Sequence, residues 1–146
     1  MNVLKYKSFS LYCILTLFFL SCQNTGDTGN DSVAFFEEHN ARNSLDYAGT
    51  YQGVLPCADC EGIAVELKIS YDGSFQKSMQ YHGKSDDVFE FFGEYRWNDA
   101  GNTISLIGLE APNQYFVAEE RLIQLDIKGQ RISGDLADRY VLKKTY

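Results

Sequence analysis

The sequence predicts an all-β fold, a meandering antiparallel barrel or sandwich, and three observations carry that prediction. From Tyr47 onward, apolar and polar residues alternate with a period of two. Turn-forming residues recur about every ten positions with no helix-period segment between them, which excludes a parallel α/β architecture. Most of the ten Tyr and ten Phe fall in the alternating segments, where aromatic side chains suit a pleated inner surface. At 146 residues the chain is long enough for one domain with a core and short for two.

The elements follow in order. Residues 1–21 read as an export signal, with Lys5 and Lys7 ahead of an apolar run from Phe9 to Leu20. That run is 12 residues, against the roughly 20 that a spanning helix needs. The signal ends in "FLSC", which resembles the bacterial lipobox and makes Cys22 the expected lipid-bearing first residue of the mature protein. An ordinary secretory signal cut near Ser21 is the alternative. Residues 22–38 then form the anchor and a polar, Gly-containing tether, "QNTGDTGNDS". Acyl chains on Cys22 would hold the protein to a membrane without spanning it. "SVAFFEEHNARNSLD" suits a short helix or an ordered arm, with Asp31 or Ser32 as the cap.

The barrel domain is expected over residues 39–146. In "GIAVELKIS", Ile63, Val65, Leu67 and Ile69 point one way while Ala64, Glu66, Lys68 and Ser70 point the other, as in a strand with one wet face. "YDGS" supplies a turn, "FQKSMQY" a strand and "HGKSDD" a reversal. "VFEFFGEYRW" is a strand and "NDAGN" a turn; "TISLIGL" and "QYFVAEERLIQLD" each read as one strand. "IKGQ" turns the chain into "DRYVLKK", the closing strand. The aromatic interior is expected to be filled by its own side chains, with a cavity for an apolar ligand as the alternative.

Charge and motifs narrow the function. Removing the signal takes away Lys5 and Lys7, leaving 11 basic against 20 acidic residues, a net −9, which makes nucleic acid an unsuitable partner. There is no phosphate-binding glycine loop, no His-Glu-x-x-His and no nucleophile elbow, so no enzyme activity is expected.

Of the four cysteines, Cys13 lies in the signal and Cys22 at the anchor, which leaves Cys57 and Cys60 in "LPCADCEGI" with only each other as partners. Three roles stay open for them. An oxidising envelope favours a disulfide, and a ring this short would stabilise by about 2 kcal/mol in the loop-entropy treatment. Two thiolates from one loop also suit a soft ion such as Cu(I), with Met79 and His82 as candidate auxiliary ligands, although "MQYH" puts those two on opposite faces of a regular strand. A redox switch is the third role. A thioredoxin-like catalyst would need a helix N-terminus at the first cysteine, and strands flank this pair.

"HNARNSLDYAGTYQGVLPCADCEGI", with the later "GEYRW", "GNTISL", "YFVAEERLIQLD" and "RYVLKK", resembles the NlpE family of envelope lipoproteins over residues 39–146. That resemblance implies a small antiparallel barrel of lipocalin-like form, lipid-anchored to the outer membrane and facing the periplasm. Gln23, where an inner-membrane retention signal would place Asp, agrees with the outer membrane. It further implies a part in copper resistance or in envelope-stress signalling through the Cpx two-component system, with a sensor kinase as partner. The family's paired cysteines fall on Cys57 and Cys60. Longer members carry a second, OB-like domain, whose functions are not carried over. A lipocalin-like carrier of a small apolar ligand, with the cysteines as a staple, is the rival expectation.

Overall fold

In a computed structural model of the chain, the described residues are 39–146, which lie within the unit Glu37–Tyr146. The expected signal, lipidation at Cys22, tether and helix caps at Asp31 or Ser32 lie outside them. Eight strands follow one another: β1 Gly49–Leu55, β2 Gly62–Ile69, β3 Ser74–His82, β4 Val88–Trp97, β5 Thr103–Leu106, β6 Gln114–Ala118, β7 Arg121–Gln124 and β8 Val141–Thr145. Each pairs antiparallel with the next, and β8 returns to β1 with Thr50 opposite Thr145 and Gln52 opposite Lys143. The sheet therefore closes as a barrel rather than splitting into a sandwich. Closure removes most of the edge across which another chain might add, although β4 pairs with β5 only through Tyr95, Arg96 and Trp97.

The predicted alternation appears directly in β2, where Val65, Leu67 and Ile69 are buried while Glu66 and Lys68 are exposed. Three boundaries differ from expectation. "QYFVAEERLIQLD" is a hairpin, β6 and β7, joined at Glu119–Glu120. Glu120 takes a left-handed backbone, φ 57°, without a Gly or Asn to advertise it, and the paired strands on both sides impose that conformation. β5 stops at Leu106 because Gly108 turns the chain at φ 85°, and Asn113 Nδ2 donates to the carbonyls of Leu106 and Leu109 at 2.9 and 3.0 Å. In "DRYVLKK" the first residues belong to a 3-10 helix, Ala137–Tyr140, and the strand begins at Val141.

One helix lies among the described residues of "SVAFFEEHNARNSLD". The described helix, α1, spans only Ala41–Ser44 and is capped by Asn40, whose side chain accepts from the Arg42 and Asn43 N–H groups at 3.1 and 3.3 Å. Asn43 returns the favour by accepting from the Asn40 N–H at 2.9 Å, a reciprocal cap that holds a helix too short to persist alone. α1 packs at the barrel end formed by the β2–β3, β4–β5 and β6–β7 turns: Ala41 is buried there, and the Arg42 N–H donates to Gly101 O at 3.0 Å. Gly101, at φ 63°, is a required glycine, because a Cβ would meet the Asn40 side chain at 2.6 Å.

Beneath α1 the interior is packed. Tyr51, Leu67, Ile104, Leu106, Tyr115 and Leu122 are among its fully buried side chains. Tyr51 Oη donates to Tyr47 O at 2.7 Å, and Tyr47 meets Trp97 and Tyr71 edge-on, each at 5.0 Å between ring centres. Burial lifts the Tyr51 phenol to a pKa of about 12. The expected filled interior thus describes one end of the barrel. The other end, where the β1–β2, β3–β4 and β5–β6 connections lie, holds a cavity of about 550 Å³.

Candidate functional site

The cysteine loop leaves β1 after Leu55 and joins β2 at Gly62, so it caps a hairpin at the end of the barrel opposite α1. Pro56 cannot donate to the sheet and ends the pairing. The Glu61 N–H resumes it by donating to His82 O at 3.1 Å. Gly62 sits so close to β1 that a Cβ would lie 2.6 Å from Val54 Cγ1. These constraints bring Cys57 and Cys60 to a Cα separation of 5.3 Å, within the range a disulfide spans, and they are bonded. Both cysteines are half-buried at the loop surface rather than enclosed in the core.

Asp59 projects from the same loop and pairs with Lys84 of the β3–β4 turn. That hydrogen bond, with the charge of Lys84, holds the Asp59 carboxyl below its ordinary pKa. One carboxylate oxygen of Asp59 and the two sulfurs lie within 4.8 Å of one another, a group of three metal-capable side chains among the described residues. In the oxidised state the sulfurs carry neither proton nor negative charge and are poor ligands. Reduced, they would offer two soft thiolates beside one hard oxygen, a donor set that fits a thiophilic ion better than Mg²⁺ or Ca²⁺.

The auxiliary ligands divide as the strand parity predicts. Met79 faces the barrel interior and lines the cavity, whereas His82 is exposed at the end of β3 opposite Gly62. The two do not converge. His39, the other histidine, stands beside α1 at the far end, with Nδ1 3.5 Å from Ser44 Oγ. Two participants were given no pairing or ligand role from the sequence. Asp59 becomes a partner only through the turn of the loop, and Lys84 reaches it from 25 positions away. Lys77 is a third: it follows Phe75 on the inward face of β3, which the alternation itself would have revealed.

The chain matches the NlpE N-terminal domain family over residues 51–135, a stretch that contains both cysteines, β2 to β7 and most of β1. Lipoprotein NlpE of Escherichia coli (strain K12) is 30% identical over 86 residues, covering 58% of this chain and 36% of that protein. Among solved structures, a candidate lipoprotein from Shewanella oneidensis is 42% identical with a TM-score of 0.66, covering 72% of this chain and 94% of that one. The Cpx pathway activator NlpE from Escherichia coli is 27% identical with a TM-score of 0.48, over 60% of this chain and 46% of that chain. The chain therefore spans 36% of the length of the curated relative it matches. With its "LPCADCEGI" loop and the match running through nearly the whole barrel, the chain belongs to the NlpE family, by way of that family's N-terminal domain.

Proposed function

We propose that this protein is a non-enzymatic envelope lipoprotein that reports oxidative or thiophilic-metal stress through Cys57 and Cys60. The carrying observation is a disulfide on an outer loop with a carboxylate beside it, in a chain of the NlpE family. In this reading Cys22 bears the lipid, the outer membrane holds it, and the barrel faces the periplasm.

The chemistry is an exchange between two states. A dithiol donor gives two electrons and two protons, the S–S bond opens, the donor becomes a disulfide, and Cys57 and Cys60 become thiols. Loss of their protons creates the thiolate pair that would hold Cu(I), with Asp59 close enough to adjust its second shell. Because the loop is anchored on Leu55 and Gly62, opening the ring frees the loop surface without dismantling the strands. A sensor kinase of the envelope is the proposed reader of that surface, and copper tolerance the proposed consequence.

The test is a competitive Cu(I) titration against a coloured chelator. Reduced wild type is expected to bind about one ion per chain, and oxidised wild type and the Cys57→Ser, Cys60→Ser double variant none. Equal binding by the double variant moves the site elsewhere, and no binding by the reduced protein removes the metal branch.

A further inference from the structure

The cavity at the cysteine end is more specific than a gap in packing. Its walls are apolar, formed by Ile63 and Val65 of β2, Met79 and Tyr81 of β3, and Phe91 of β4, with Leu109 at the β5–β6 loop. Exposure rises from floor to mouth: Val65 is buried, Met79 and Phe91 are half-buried, and Gly108 and Glu110 at the rim are exposed. A volume of about 550 Å³ lies within the roughly 300–1,000 Å³ of small-molecule sites. An eight-stranded barrel is wide enough to hold one such ligand.

The inner part of this pocket holds a lysine with no carboxylate paired to it and a glutamine oxygen with no donor. Lys77 is 7% exposed and lines the cavity, yet makes no hydrogen bond or ion pair with any described residue. Its neighbours in register are Leu67 and Phe91, and its ammonium lies 5.7 Å from the centre of the Tyr115 ring. Gln124, 6% exposed and also in the lining, has a buried Oε1 with no partner. Tyr115, directly opposite Gln124 on β6, has an equally unpartnered Oη. Buried polar groups are nearly always paired, and an unpaired ammonium is the costliest of them. Burial also lowers the Lys77 pKa and raises that of Tyr115, as expected for groups without a compensating charge. Glu110 is the one carboxylate in the lining and sits at the rim.

We propose that the cavity binds a single-chain amphiphile with an anionic head, which enters head first, sets its anion against the Lys77 ammonium, and lays its alkyl chain along the wall from Val65 to Leu109. The head supplies the counter-charge that the fold withholds. The chain replaces water along side chains that are half-buried without a ligand. A simple apolar molecule would fill the same volume and leave Lys77 unpaired, so charge is the discriminating feature.

The test uses the full chain carrying Cys22→Ser, stripped of bound lipid and titrated calorimetrically with laurate, dodecyl phosphate and dodecanol. One molecule of an anionic ligand per chain is expected, at least about tenfold tighter than dodecanol, and whichever of laurate and dodecyl phosphate binds more tightly identifies the head as carboxylate or phosphate. Lys77→Met should weaken the anion at least about tenfold while holding dodecanol within about twofold. Ile63→Trp, which fills the cavity from its wall, should abolish both. Equal binding of dodecanol and the anions, an unchanged anion affinity in Lys77→Met, undiminished binding in Ile63→Trp, or no binding at all would each overturn the proposal.

Discussion

The two ends of this barrel are built on opposite principles. At the α1 end, inward side chains pack on one another: Tyr51 reaches Tyr47, Tyr47 meets two further rings edge-on, and Ala41 of α1 is buried with them. At the cysteine end, β1 to β4, β7 and the β5–β6 loop surround a cavity and a lysine without a counter-charge, beside a loop tied by one disulfide. Hydrophobic burial is thus concentrated in one half, which holds the fold and leaves the other half free to carry polar groups that cost stability. The difference teaches that strand count sets the bore of the barrel, while the side chains decide which part of it is core.

The strongest way to break this contrast is to truncate one side chain at each end. Leu67→Ala, at a fully buried position, is expected to cost about 2–5 kcal/mol in urea unfolding, whereas Phe91→Ala on the cavity wall should cost about 1 kcal/mol because open space already adjoins it. Equal losses would mean that the cavity end is packed in solution.

Lys77 sharpens the contrast with the opposite sign. Its folded pKa is lowered by burial while the unfolded chain keeps the ordinary value of 10.5, so the unfolded state binds more protons between those two values. Stability should therefore rise with pH through that window. Lys77→Met should be more stable than wild type at neutral pH, and the gain should shrink as the pH approaches 10.5, as followed by unfolding at a series of pH values. A gain independent of pH would show that packing, not charge, is responsible.

The smallest effect belongs to the cap. Asn40→Ala removes the acceptor for the Arg42 and Asn43 N–H groups and should cost about 1 kcal/mol, with hydrogen exchange quickening at α1 before any change at the cysteine loop. Simultaneous loosening of both ends would show that they are one cooperative unit.

Much of this architecture was legible in the residues. The alternation of Val65, Leu67 and Ile69 gave the inward face of β2, and the turn residues of "YDGS" and "NDAGN" gave two of the connections, because these signals are local. The hairpin at Glu119–Glu120 was not legible, since two glutamates carry no turn preference and only the pairing of β6 with β7 forces the backbone there. The shortened β5 hid for a related reason: Gly108 is readable, but the grip of Asn113 on two carbonyls depends on the loop it closes.

By itself, then, the sequence determined the all-β class, the strand faces and the three-position spacing of Cys57 and Cys60, all of which depend on neighbours a few positions apart. Tertiary structure decided that the sheet closes, that Asp59 and Lys84 meet beside the disulfide, and that Lys77 and Gln124 face a cavity instead of packed core. The reason is that a strand's period says which side chains point inward, but how much space they find there depends on what every other strand contributes to the same interior.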